Sequence, residues 1–91
     1  MQRHFSGDKA EMAARLRKVE GQVRGIARMI EEDRYCVDVL VQIAAVRAAL
    51  NQVGLSILRS HTRGCVASAI REGDGDAAVE ELIDTLMQFL R

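Results

Sequence analysis

The sequence contains no proline and no tryptophan, and only three of its 91 residues are aromatic. Because proline is the residue that breaks helices most strongly, its absence leaves long helices uninterrupted. With so few aromatic side chains, the core must consist of Leu, Val, Ile, Ala and Met. No run alternates strictly between apolar and polar residues, and no hairpin dipeptide separates two apolar runs, so strands are poorly supported. The sequence predicts an all-α fold.

The chain also lacks the features of an exported or membrane protein. The N-terminal residues MQRHFSGDK form no apolar signal-peptide segment, and we expect no stretch long and apolar enough to cross a membrane. We therefore predict a cytoplasmic protein with no membrane partner. Two cysteines in a reducing compartment are more often metal-binding, redox-active or simply buried than joined in a structural disulfide.

The chain has no net charge, since 13 Lys and Arg balance 13 Asp and Glu, but the charges are unevenly distributed. Residues 1–30 carry a balance of +4 and residues 31–91 a balance of −4. A basic half favours a polyanionic partner such as DNA, whereas a solvated helix face would also account for it.

The length of the chain predicts a single domain, residues 1–91. Apolar periodicity predicts three helices that are long, long and short, and residues 1–7, which have no period, are expected to form a flexible arm. Asp8 and Glu11 approximate a capping box, with Ser6 as a competing cap, for a first helix of about 24 residues. Asp33 is the candidate N-cap of the second helix, which runs to about Cys65 or as far as Ile70. The loop 72–76 precedes a third helix, with Asp76 as its candidate N-cap.

The second predicted helix is apolar around much of its circumference, so it must be covered on more than one side. In so short a chain, this indicates a second copy of the protein. If the helix is unbroken, Cys36 and His61 lie roughly 37 Å apart at ~1.5 Å per residue. One chain cannot then gather both around a single ligand, whereas an antiparallel partner helix would bring Cys36 of one copy beside His61 and Cys65 of the other.

His61 and Cys65 lie one helical turn apart, which is a chelating spacing for a metal ion. Taken alone this is weak, because an isolated buried cysteine is usually a small apolar residue. With Cys36 added, the set becomes two thiolates and one imidazole, which suits Cu(I) at low coordination number. Zinc would need a fourth ligand from Asp, Glu or water.

Several motifs bring a resemblance to a known family. The run RLRKVEGQVRGI from Arg15, the segment DRYC that ends at Cys36, and QIAAVR from Gln42 closely resemble the CsoR/RcnR family of copper, nickel/cobalt, formaldehyde and persulfide sensors. The match extends from about Leu16 to Leu90. The resemblance implies three-helix protomers in an antiparallel dimer with a four-helix core, and a dimer of dimers, or homotetramer, that binds operator DNA without a helix-turn-helix.

The resemblance also implies roles for individual residues. Cys36 matches the metal ligand of one protomer, and His61 and Cys65 match those of the other. Tyr35 and Glu81 match the pair beside the ligands in the copper sensors, where Glu81 would hold the tautomer of His61. A packing residue at 35 and a solvated one at 81 are the plain alternatives. His4 lies where the nickel/cobalt branch has an extra ligand, so Ni(II) remains an alternative to Cu(I).

We therefore predict a metal-responsive repressor whose apo form binds operator DNA and whose Cu(I)-bound form releases it. Persulfide and formaldehyde sensors would not need His61 and Cys65, respectively, and are less favoured. A Cys65–His61 enzyme lacks a cleft and an oxyanion loop, so the main rival is a helical interaction module with inert cysteines. The phosphate contacts are expected from basic residues on the first two helices: Arg15, Arg17, Lys18, Arg24, Arg28 and Arg47.

Overall fold

The computed structural model describes residues 9–91, and this range is folded almost entirely as helices. They are α1 (Lys9–Glu31), α2 (Cys36–His61), a five-residue π-helical segment here called the π-turn (Thr62–Val66), α3 (Ala67–Arg71) and α4 (Gly75–Phe89). Because α2, the π-turn and α3 follow one another directly, residues 36–71 form one helical stretch. Over the described range there is no strand, and the predicted all-α order of long, long and short helices is confirmed.

The chain divides into two compact units, of which one contains α1 and the part of α2 up to Ser56. Its buried residues are Met12 and Val19 on α1 and three valines on α2, Val39, Val46 and Val53. Within each helix these residues recur every seven positions, which keeps them on one face over two turns. This unit is therefore built on one narrow apolar row from each helix.

The end of α1 is a Schellman motif, which satisfies the last carbonyl groups of the helix. The N–H of Arg34 donates to the carbonyl oxygen of Met29 (2.9 Å), and the N–H of Asp33 donates to that of Ile30 (3.1 Å). Asp33 has φ 54°, the left-handed conformation that this motif requires. Our prediction that Asp33 caps α2 is wrong, because its backbone instead terminates α1.

The second helix begins one residue after Tyr35, whose carbonyl oxygen accepts the first helical hydrogen bond, from the N–H of Val39 (3.2 Å). Tyr35 therefore occupies the N-cap position.

The predicted capping box of the first helix rests on Asp8, with Ser6 as its competitor, and both lie outside the described residues. The predicted flexible arm lies there as well, while the first helix, with 23 described residues, matches the predicted length.

The second compact unit contains the described chain from Ile57 onward, with α4 packed against α3 and the π-turn. Val66 and Ala78 are its buried apolar residues. Helix α3 also ends in a Schellman motif, with Gly73 at φ 92° and hydrogen bonds from the N–H groups of Gly73 and Asp74. Because the chain leaves this motif at once, Asp74 becomes the N-cap of α4. The predicted N-cap, Asp76, lies within the first turn of the helix, so that prediction is wrong.

The α3–α4 connection brings the two helices close together at Gly75. A Cβ atom at this position would lie 3.0 Å from Cγ1 and 3.3 Å from Cα of Ile70. The second distance is to backbone, which cannot rotate away as a side chain can. Glycine therefore permits the tight turn between the two helices.

Judged by length and composition alone, our expectation that no stretch could span a membrane is wrong. The helical stretch 36–71 is long and apolar enough to pass that test. Core helices of water-soluble proteins pass the same test, so a single such helix is weak support for a membrane span.

Candidate metal centre and DNA-binding surface

Cys36 is the first residue of α2 and is exposed. The Schellman motif that terminates α1 lies just before Cys36. Its backbone geometry therefore determines where α2 starts and where this thiol lies. Its neighbours Tyr35 and Val37 are exposed as well. The structure thus places the first predicted metal ligand on an open helix start.

His61 and Cys65 lie at the other end of α2, and both are half-buried. His61 is the last residue of α2, and Cys65 belongs to the π-turn. The π-turn packs against α4, so Cys65 is held by a packed part of the chain, and His61 directly precedes that part. The sequence-based prediction that they are neighbours on one helical stretch is consistent with these positions.

The π-turn was not predicted from the sequence. At its end the N–H of Ala67 donates to the carbonyl oxygen of Thr62, five residues earlier. At its start the hydroxyl group of Thr62 donates to the carbonyl oxygen of Leu58, at 2.9 Å. A Cβ atom at Gly64, inside the segment, would have no neighbouring atom within 4 Å. Position 64 therefore does not require glycine on steric grounds. Glycine weakens a helix, so Gly64 is a weak sequence signal of an irregularity in this segment.

Among residues 9–91, no three His, Cys, Asp or Glu side chains form a group that could hold a metal ion. The described chain alone therefore does not assemble the predicted Cys36, His61 and Cys65 site. The candidate fourth ligand, His4, lies outside the described residues. The ligand assignment remains a prediction that needs a second copy of the chain.

The two residues predicted to lie beside the ligands are both exposed. The side chain of Tyr35 is 67% exposed at the N-cap of α2. Glu81 lies on α4, the helix that packs against the π-turn. Glu81 thus belongs to an element in contact with the segment that contains Cys65, and its predicted role toward His61 stays a prediction.

All six predicted phosphate-contact residues are exposed, five on α1 and Arg47 on α2. Two of them are already paired within their helix, since Arg15 lies 3.5 Å from Glu11 and Arg24 lies 3.8 Å from Glu20. These side chains are at least half exposed, and such i,i+4 pairs contribute only about 0.3–0.5 kcal/mol. A phosphate group can therefore displace either glutamate at little cost.

Helix α2 also has a second apolar face, which the described chain leaves uncovered. Val37, Leu40, Val41 and Leu55 are between 47% and 62% exposed. At 100° per residue they project away from the buried row that contains Val39 and Val46. The prediction of a helix that needs cover on more than one side thus agrees with the exposures along α2.

The fold and the sequence together define the class of protein. The family of metal-sensitive transcriptional repressors matches residues 8–88, so the chain belongs to that family. This confirms the resemblance to CsoR/RcnR proteins and the predicted function of a metal-responsive transcriptional repressor.

Individual members of the family are similar over nearly the whole chain. The copper-sensing transcriptional repressor CsoR of Bacillus subtilis is 51% identical over 86 residues, which cover 94% of this chain and 85% of that protein. The crystal structure of the copper-sensing repressor CsoR with Cu(I) from Geobacillus thermodenitrificans superposes with a TM-score of 0.90 at 47% identity, covering 100% and 95% of the two chains. The nickel-responsive transcriptional regulator InrS superposes with a TM-score of 0.79 at 35% identity, covering 98% and 99%.

Proposed function

We propose that this chain is a Cu(I)-responsive repressor that binds operator DNA in its apo form and releases it when Cu(I) is bound. In this proposal Cys36 of one copy and His61 and Cys65 of a second copy hold the ion. The observation that carries the proposal is the position of these residues at opposite ends of α2. No group of three ligands forms within the described part of one chain, which supports a site completed by a second copy.

The donor set fits Cu(I). Two thiolates and one imidazole are soft or borderline ligands, and three donors satisfy Cu(I) at low coordination number. Both CsoR proteins named above are copper sensors. Bound Cu(I) would supply a bridge between two copies, while Tyr35 and Glu81 orient the ligands, with Glu81 accepting a hydrogen bond from the non-ligating nitrogen of His61.

Ni(II) is the second candidate, because InrS is a nickel-responsive regulator with a closely similar fold. In that case His4 would join Cys36, His61 and Cys65 to make a four-coordinate site, which suits Ni(II). X-ray absorption of the loaded protein separates the two metals, since three short S/N contacts and four N/S contacts give different spectra.

The proposed assembly is an antiparallel dimer that pairs into a tetramer. The uncovered face of α2 supports it, because four large apolar side chains on one face cost free energy as long as they contact water. Exposed apolar residues on α4, among them Ile83 and Met87, offer a further surface for a second pair. We also propose that the protein acts in the cytoplasm and has no enzymatic activity.

The basic residues of α1, with Arg47 of α2, form the proposed DNA-binding surface. In a tetramer they are presented four times, so a chain without net charge offers a broad positive surface. Contacts of this kind give affinity with a steep salt dependence and little sequence information. Part of the operator choice then rests on DNA shape.

Titration of operator binding with Cu(I), under anaerobic and reducing conditions, tests the proposed function. A coupling free energy of about 3 kcal/mol would weaken operator binding more than a hundredfold, and DNA would weaken copper binding by the same factor. The control is a mock titration with the same anaerobic buffer and no Cu(I), which should leave operator affinity at its apo value.

Unchanged operator affinity at saturating copper would refute the proposed switch. The main rival function, a helical interaction module with inert cysteines, makes a separate prediction. Inert thiols would lose Cu(I) to a strong chelator, whereas a site with three protein ligands would retain it.

A further inference from the structure

The π-turn is the one departure from regular α-helical geometry between Cys36 and Arg71. In an α-helix each N–H donates to the carbonyl four residues earlier, whereas the N–H of Ala67 donates to Thr62, five residues earlier. Short π segments inside α-helices are rare and occur frequently at functional sites. This one begins directly after His61 and contains Cys65, so it separates two candidate metal ligands.

The hydrogen-bond shift changes the angle between these two side chains. In a regular α-helix the four-residue step from His61 to Cys65 rotates by about 400° around the helix axis. A turn closed by a five-residue hydrogen bond contains more residues, so the same step rotates by less. The π-turn therefore sets a different angle between the imidazole and the thiol than an uninterrupted helix would.

Thr62 is the residue whose side chain supports the start of this segment. Its hydroxyl group donates to the carbonyl oxygen of Leu58 at 2.9 Å. Back-bonding of this kind by Ser or Thr occupies a helix carbonyl and commonly bends the helix. The bond lies within the turn in which the hydrogen-bond pattern changes from four to five residues. No part of the function derived above uses Thr62.

We propose that Thr62 is a positioning residue. Its hydroxyl group, by occupying the Leu58 carbonyl, stabilises the π-turn that sets the orientation of His61 relative to Cys65 for one metal ion. The inference rests on the proposed function, because the ion that it concerns is the Cu(I) of that site. It assigns to Thr62 no direct contact with the metal.

The test compares Thr62→Val, which removes the hydroxyl group but keeps the shape, with Thr62→Ser, which keeps the hydroxyl group. Thr85→Val, on an exposed position of α4, is the matched control because Thr85 is the only other threonine. Two measurements apply to all three variants. One is Cu(I) affinity by competition with a chelator, and the other is hydrogen exchange of amides 63–67 in the apo protein.

We expect Thr62→Val to bind Cu(I) about fivefold more weakly and to exchange these amides about fivefold faster, which is the effect of one lost neutral hydrogen bond. Thr62→Ser should restore both values to within about twofold of the original protein, since its donor remains. Thr85→Val should change neither.

Two results would overturn the inference. Wild-type affinity and exchange in Thr62→Val would show that the hydroxyl group does not support the π-turn. An equal loss in Thr62→Ser would show that the methyl group matters instead. Failure of the proposed function is distinct, because then the unmodified protein would not retain Cu(I), although apo-state exchange would still report whether Thr62 holds the π-turn.

Discussion

The two ends of α2 differ in exposure, backbone geometry and packing. At its start, Cys36 is exposed on a regular α-helical turn. Beyond its end, Cys65 is half-buried in a π-turn that packs against α4. The same residue type thus occurs in two different settings on one helical stretch.

This contrast indicates a division of labour in the proposed site. Cys65 belongs to a segment that packs against α4, and His61 directly precedes that segment, so little ordering is needed to use this pair. Cys36 is exposed among the described residues, and in the proposed site a second copy would bring it into place. Removing either cysteine should therefore affect metal binding equally but protein stability unequally.

The largest expected effect comes from Cys36→Ala. Loss of a metal ligand should weaken Cu(I) binding by more than about a hundredfold, because losing only the hydrogen-bond partner of a ligand already costs about 10–100-fold. Operator binding of the apo protein should stay intact, because Cys36 is exposed and substitutions at exposed positions change stability by only about 0.5 kcal/mol. Chelator competition and DNA binding by fluorescence anisotropy measure the two effects.

Cys65→Ala is the comparison variant. It should lose copper binding to the same extent and, because Cys65 is half-buried, should also lower the free energy of unfolding by about 1 kcal/mol. A Cys36→Ala protein that still released the operator with copper would show that the ligand assignment is wrong.

Glu81→Ala should produce the next largest effect, on coupling rather than on binding. Copper should remain tightly bound, while the weakening of operator affinity by copper should shrink by about tenfold, because His61 loses the carboxylate that fixes its tautomer. Glu80→Ala, an exposed neighbour on α4, is the matched control and should keep the full coupling. Full coupling in Glu81→Ala would leave Glu81 as a solvated residue.

Gly75→Ala should have the smallest effect, confined to the packed end. The added Cβ would meet Ile70 at 3.0–3.3 Å, and we expect a loss of about 1 kcal/mol in the free energy of unfolding. Gly25→Ala is the control, since it meets nothing within 4 Å on α1 and should stabilise the helix by about 0.5–1 kcal/mol. Thermal unfolding of both variants checks the difference in sign, and equal shifts would contradict it.

Helix content and order could be predicted because they depend on local composition and periodicity. The absence of proline and the three- and four-residue apolar spacing predicted a first helix of about 24 residues, and α1 has 23 described residues. The second helix was predicted to end between Cys65 and Ile70, and the stretch ends at Arg71. These features need no knowledge of distant contacts.

The π-turn and the caps could not be predicted in the same way. A π-turn depends on a hydrogen bond moving by one residue, which involves small energies and no characteristic sequence pattern. Aspartate is common both at N-caps and in the left-handed conformation, so the identity of Asp33 alone does not decide between the two. The predicted metal site does not follow from sequence periodicity, and the described part of one chain does not assemble it. Its prediction came from the resemblance and from the length of the second helix.

The uncovered face of α2 has a consequence for how the fold responds to dilution. Any molecule that covers Leu40, Val41 and their neighbours binds the folded chain and not the unfolded one, so it stabilises the fold by mass action. If the cover is another copy, stability cannot be stated without a protein concentration. At low concentration, newly made chains would then be mostly uncovered and most exposed to proteolysis. A higher concentration of the repressor would in turn protect each chain and favour its accumulation.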